Sequence, residues 1–350
     1  MLWIVLAGAA AGIAGAAGWR AWAQARAGRA QRLEGPDSID EGGFAPVGGI
    51  EQWISIRGER RSNPVLVILH GGPGAGFDLV TQTTMRPWAR DFTVVQWDQR
   101  GAGRTFGRHG AKGCGSLSID GMADDAIEVI EHALARTGQS KAIVLGASWG
   151  SIVGVAAARR RPDLLHAYVG AGQVVDMGEN EAVAYDALLA RVEARGNAKA
   201  AARLRRIGPP PYAGLSVLLQ QRRVMFANAP QSERGFVGRV LKDALTAPDA
   251  RLRDVWDWII AQQVSIRRLY GELMTYGDRS PPPRFEVPVV VIQGEEDIQT
   301  PTSLARDWFE TLTAPSKAFV TIAGGGHNAI LAMPEAFHTA LRDHVRPLAR

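Results

Sequence analysis

The stretch VLGASWGSIVGVAAA, residues 144–158, narrows the possible folds more than any other part of the chain. An apolar, β-branched run leads into it, and small and apolar residues at helical spacing lead out, so a buried strand passes directly into a buried helix. At the junction sits Ser148, with glycines at 146 and 150. G-x-S-x-G in this context is a sharp elbow. The turn closes only if the flanking positions lack side chains, and the serine oxygen is then pushed clear of the sheet edge. The start of the helix beneath it favours developing negative charge.

A serine hydroxyl is a weak nucleophile at neutral pH. It needs a base, and the base needs an orienting acid. In a strand–elbow–helix arrangement these follow in the order serine, acid, histidine. The run VPVVVIQG (287–294) reads as a strand and is followed by GEEDIQTP, which offers Glu295, Glu296 and Asp297. Asp297 is favoured because it lies three residues past Gly294, with Thr300-Pro301 opening the next helix. The strand AFVTIAG (318–324) is followed by GGGHNAIL, whose glycines let His327 fold back over the sheet. His109, His132, His166, His338 and His344 stand in helical, loop or strand-start contexts away from this geometry. His70 opens HGGPG (70–74) directly after the apolar run VLVILH. That glycine-rich turn exposes backbone N–H groups, and the amides of Gly72 and Trp149 are the expected oxyanion donors. His70 itself reads as a structural tie for the loop.

Strand-like runs at 51–57, 65–70, 93–98, 142–146, 166–172, 287–294 and 318–324 alternate with helical patterns. That alternation implies an α/β fold with a mostly parallel, doubly wound sheet; EQWISIR (51–57) is expected at the sheet edge. Between about 175 and 286 the alternation stops. An Ala/Arg/Leu-rich helical stretch, broken at GPPPY (208–212) and SPPPR (280–284), reads as a helical cap inserted between two late strands. The expected organisation is an N-terminal anchor and basic tail over 1–32, a Gly/Pro-rich linker over 33–50, a core of 51–175 plus 286–350, and a cap over 176–285.

Residues 1–19 carry no charged side chain, which predicts a membrane anchor. Arg20, Arg26, Arg29 and Arg32 follow, and would hold the catalytic domain on the cytoplasmic side. The alternative is export after cleavage of a signal peptide at AWA (21–23). On either view, removal of 1–32 should leave an active enzyme. The net charge is +5, of which this tail holds +4, so the main domain has no strongly basic face and no nucleic-acid partner is expected. The one cysteine, Cys114, reads as a small loop residue. No Cys/His metal spacing and no phosphate-binding loop occurs, so neither metal nor cofactor is expected.

HGGPG, WDQRGAGRT (97–105), GASWGS (146–151), the GEED…TP loop and GGGH together resemble the α/β-hydrolase fold, and within it the prolyl iminopeptidase family, over about 50–175 and 286–347. The resemblance implies a serine hydrolase with the triad Ser148, Asp297 and His327, acting through an acyl-enzyme on a small peptide, with release of an N-terminal residue, or else on a small ester. In WDQRG, Asp98 and Arg100 would brace the loops around the site. The chain departs from the family in its cap, where no Trp-Glu pair occurs to hold a substrate's ammonium group. Glu179, Glu181 and Asp257 are the acids there that could do so. A non-catalytic binding protein on the same fold is the remaining alternative, although such proteins usually lack part of the triad.

Overall fold

The computed structural model describes residues 2–279 and 282–349, with only the backbone described for 2–11 and 13. Ser280 and Pro281, in the second expected break, lie outside the described residues.

Eight strands form one sheet: β1 (Ile39–Val47), β2 (Ile50–Gly58), β3 (Val65–Leu69), β4 (Thr93–Asp98), β5 (Ala142–Ala147), β6 (Leu165–Ala171), β7 (Val289–Gly294) and β8 (Lys317–Ile322). Their order is β1-β2-β4-β3-β5-β6-β7-β8. The β1–β2–β4 pairs are antiparallel and every pair from β4–β3 onward is parallel. Side chains alternate between two apolar layers. Val65, Val67, Leu69 and Val144 face one side; Leu66, Ile68, Ile143 and Leu145 face the other. Burial on both faces is why these strands read as continuous apolar runs.

The expected linker contains β1. Gly48 and Gly49, both at positive φ, close a two-residue turn that pairs Val47 with Ile50. Its glycines and Pro46 hid the strand, yet Pro is tolerated on an edge. β2 is therefore covered on both sides and is not the edge strand.

The helices are α1 (Leu2–Gln31), the single turn α2 (Asp78–Thr81), α3 (Gly103–Gly113), α4 (Ile119–Thr137) and α5 (Trp149–Arg160). The cap follows as α6 (Met177–Ala194), α7 (Ala198–Ile207), α8 (Leu215–Ala227), α9 (Phe236–Thr246) and α10 (Leu252–Met274). The core resumes after β7 with α11 (Thr302–Thr311), and α12 (Ala329–Ala332) and α13 (Pro334–Ala340) follow β8. Cys114 is buried at the end of α3.

The expected membrane anchor over residues 1–19, and the membrane-anchored placement built on it, are corrected here. No helix among the described residues is long and apolar enough to cross a membrane. The segment forms the first part of α1, and the helix continues without a break into residues that pack on the rest of the protein. The second half of α1 is not a free tail. Arg20 donates to the carbonyls of Leu245 (3.0 Å) and Ala250 (2.6 Å), and Gln24 donates to those of Ala247 (2.8 Å) and Ala250 (2.9 Å). Cleavage after Ala23 would remove Arg20 from both its partners.

Candidate active site

The elbow forms as its sequence demands. Ser148 has φ 52° and is the one non-glycine residue with positive φ among the described residues. This strained position points its side chain outward at the end of β5. A Cβ on Gly150 would collide with the Leu69 carbonyl oxygen, and one on Gly146 with the Gly150 carbonyl, so neither position can carry a side chain.

His327 brings the two halves of the chain together. Its Nε2 lies 3.0 Å from Ser148 Oγ and its Nδ1 lies 3.0 Å from Asp297 Oδ2. Asp297 is buried and accepts at both oxygens. Oδ1 takes the backbone N–H groups of Gln299 (2.9 Å) and Thr300 (3.0 Å); Oδ2 takes Thr300 Oγ1 (2.8 Å) and Gln293 Nε2 (3.0 Å) besides the imidazole. These donors hold the carboxylate in place as the acceptor that fixes the imidazole tautomer. Burial alone would lower the His327 pKa, but the Asp297 charge and hydrogen bond raise it by more, and Glu233 adds to the rise; the net shift is upward. Glu295 and Glu296 serve the loops instead. The Glu295 carboxylate accepts from Gly324 N–H (2.8 Å), and Glu296 N–H donates to Gly325 O (2.7 Å), which ties the acid loop to the histidine loop.

The glycine-rich turn runs against the elbow: a Cβ on Gly71 would lie 3.4 Å from Ser148 Cβ. Trp149 opens α5, so its N–H belongs to the first turn and has no acceptor within the helix. His70 Nδ1 lies 2.8 Å from Gly71 O, and its Nε2 accepts from Gln99 N (3.2 Å). Burial depresses its pKa to about 4. A neutral ring with one donor and one acceptor meets both contacts, which suits a structural tie. Gln99 also takes the Trp149 indole N–H at 3.0 Å, linking the two loops. Arg100 forms a two-pronged pair with Asp125, both contacts at 2.9 Å, and donates to Gly48 O and Cys114 O. Asp98 accepts from Arg104 N at 2.7 Å. Both residues of the DQRG run thus brace surrounding loops.

The three cap acids picked from sequence are all matched by arginines. Glu179 faces Arg279 (3.1 Å), Asp257 faces Arg253 (3.3 Å), and the fully buried Glu181 is paired with Arg222. The carboxylate that the sequence reading missed is Glu233. It is buried, and its oxygens meet Asn328 N (2.5 Å) and Nδ2 (3.3 Å), beside His327, rather than a cation. Its Ser-Glu-Arg setting carries no motif, and only the fold brings it here. Gln293 and Thr300 were likewise missed as partners of Asp297; in sequence they read as strand and helix start.

A family profile described as alpha/beta hydrolase fold matches residues 64–332. The chain belongs to the α/β hydrolase family. A probable aminopeptidase of Bacillus subtilis (strain 168), YbaC, is 29% identical over 307 residues, covering 86% of this α/β hydrolase and 94% of that protein. A proline iminopeptidase of Neisseria gonorrhoeae is 32% identical over 124 residues, 35% of this chain and 36% of that one. Among solved structures, a membrane phospholipase A described as a bacterial virulence factor superposes with a TM-score of 0.65 at 17% identity, over 99% of this chain and 96% of that one; the likeness is one of fold. The protein is a hydrolase of the α/β-hydrolase superfamily.

Proposed function

We propose that this hydrolase cleaves an ester or amide through an acyl-enzyme, with Ser148 as nucleophile, His327 as base and Asp297 as orienting acid. The observation that carries the reading is the unbroken hydrogen-bonded line Ser148–His327–Asp297, with 3.0 Å at both steps. Ser148 Oγ attacks the carbonyl carbon as its proton passes to His327 Nε2. The oxyanion is received by the N–H groups of Gly72 and Trp149. Collapse breaks the bond to the leaving amine or alcohol, which takes the proton from His327, and water then repeats the sequence to free the acid.

The preferred substrate is a small peptide with a free N-terminus, in an aminopeptidase reaction of the proline iminopeptidase type. The full-length likeness to a probable aminopeptidase supports this. Glu233 supports it too: a buried carboxylate beside His327, not matched by a guanidinium, is suited to a substrate ammonium group. Glu179, Glu181 and Asp257 would have to give up an arginine to take that role. The same arginine pairing favours a second reading, a carboxylesterase on small neutral esters, because it leaves the cap with less uncompensated negative charge. A purely binding role finds no support in so well aligned a triad.

The deciding experiment compares rates on proline p-nitroanilide, its N-acetylated form and p-nitrophenyl acetate, after a fluorophosphonate probe has titrated Ser148. The aminopeptidase reading expects the free amine to be preferred at least tenfold over the acetylated compound. Equal rates on those two, with fast ester cleavage, would replace it by the esterase. Failure to label Ser148 would remove the acyl-enzyme mechanism altogether.

A further inference from the structure

We infer that the second half of α1 is a strap that fixes the cap corner behind the oxyanion loop, with Arg20 and Gln24 as positioning residues. The inference rests on the catalytic reading above only for its kinetic readout. Residues 20, 24, 28 and 31 fall on one face of a helix. Arg20 and Gln24 hold the carbonyls of Leu245, Ala247 and Ala250, in the corner between α9 and α10. Gly28 lies against Pro248: a Cβ there would be 3.6 Å from the proline Cβ. The end of the same helix grips the core. Gln31 donates to Thr83 Oγ1 (2.8 Å), Arg57 donates to Gln31 O (2.7 Å), and Arg86 donates to Arg32 O (3.2 Å). α1 therefore bridges cap and sheet.

What the strap holds leads directly to the site. Arg251 and Asp254 cap the start of α10 just past the gripped corner. One face of α10 then lies on the loops around the elbow. Trp258 Nε1 donates to Gly76 O (2.8 Å), and Ser265 Oγ donates to Gly101 O (2.7 Å). A Cβ on Gly74 would sit 2.9 Å from the Ala261 carbonyl oxygen, so helix and glycine-rich turn are in close backbone contact. A small cavity beside His327, of ≈ 20 Å³, is lined by Arg191, Met225, Phe226, Glu233 and Gln299 among others. The strap sets how far the α9–α10 corner can move relative to the loops around Ser148.

The test is the Arg20→Ala/Gln24→Ala double variant, with Arg26→Ala as the control that loses the same charge from the exposed face. We expect kcat on p-nitrophenyl acetate to fall five- to twentyfold with KM within twofold, and amide exchange to rise in 71–76 and 252–265; the control should match the parent. A lock then separates positioning from general damage. Gly28→Cys with Pro248→Cys places two sulfurs at a Cβ separation within disulfide range. Added to the double variant, it should restore kcat and exchange protection when oxidised and lose both on reduction. Unchanged exchange in the double variant, or an oxidised lock that restores nothing, overturns the strap. If the parent cleaves neither p-nitrophenyl acetate nor proline p-nitroanilide, the proposed function fails, while the exchange arm still decides the strap.

Discussion

At the scale of single residues, the proposed mechanism moves one proton within the line Ser148–His327–Asp297. Ser148→Ala should lower turnover by about 10⁴-fold or more without changing the melting temperature appreciably, because the hydroxyl serves chemistry and not packing. Steady-state rates beside a thermal melt check this, and residual activity within tenfold of the parent would remove Ser148 from the mechanism. His327 must be neutral to accept a proton. Its pKa is raised, so kcat/KM should fall with decreasing pH along a limb that lies above the ordinary imidazole value. Glu233→Gln removes one of the charges that raise it and should move that limb to lower pH. A limb that stays in place would show that Glu233 does not act on the histidine. Asp297→Asn leaves the imidazole without its orienting acceptor and should cost about 10⁴-fold in kcat.

Among the elements, the β5–α5 elbow is the most tightly determined, because its glycines are forced by backbone contacts. Gly150→Ala would drive a methyl group into the Leu69 carbonyl, so β3 and α5 would have to part. The expected loss is about 2–3 kcal/mol, with distortion of the nucleophile as well, measurable as a lower urea midpoint together with slower fluorophosphonate labelling. A fully stable and active Gly150→Ala variant would mean that this junction is looser than its contacts require. The loops after β7 and β8 are coupled in the same way: Gly294 comes against the Gly326 carbonyl, which is how Asp297 and His327 meet although 30 residues separate them.

Across the whole molecule, stability should carry the mark of Asp98, buried between the glycine-rich loop and α3. Burial and then the neighbouring Asp78 raise its carboxyl to about 7. The folded state thus binds a proton that the unfolded chain releases near pH 4, so this contribution is present at low pH and is lost as pH rises through about 7. Asp98→Asn should remove that decline, gaining on the parent by about 2–4 kcal/mol between pH 4 and 8 in paired denaturation curves. Parallel curves would show that Asp98 titrates normally. The parallel strands, the elbow and the loops that carry Asp297 and His327 were legible in the sequence, because each leaves a local pattern in it: an apolar run buried on two faces, a turn too tight for a Cβ, a loop directly after a strand. β1 was not, since an edge strand tolerates the Gly and Pro that otherwise mark a linker. Nor was α1. Its Ala/Gly-rich first half resembled a membrane span, whereas the polar face at 20, 24 and 31 acquires meaning only once the cap corner is folded against it. The same holds for the charge in the cap. Glu181 and Glu233 are both buried glutamates; which of them meets an arginine and which meets the histidine loop depends on contacts 41 and 95 residues distant along the chain, and such pairings exist only in the tertiary structure.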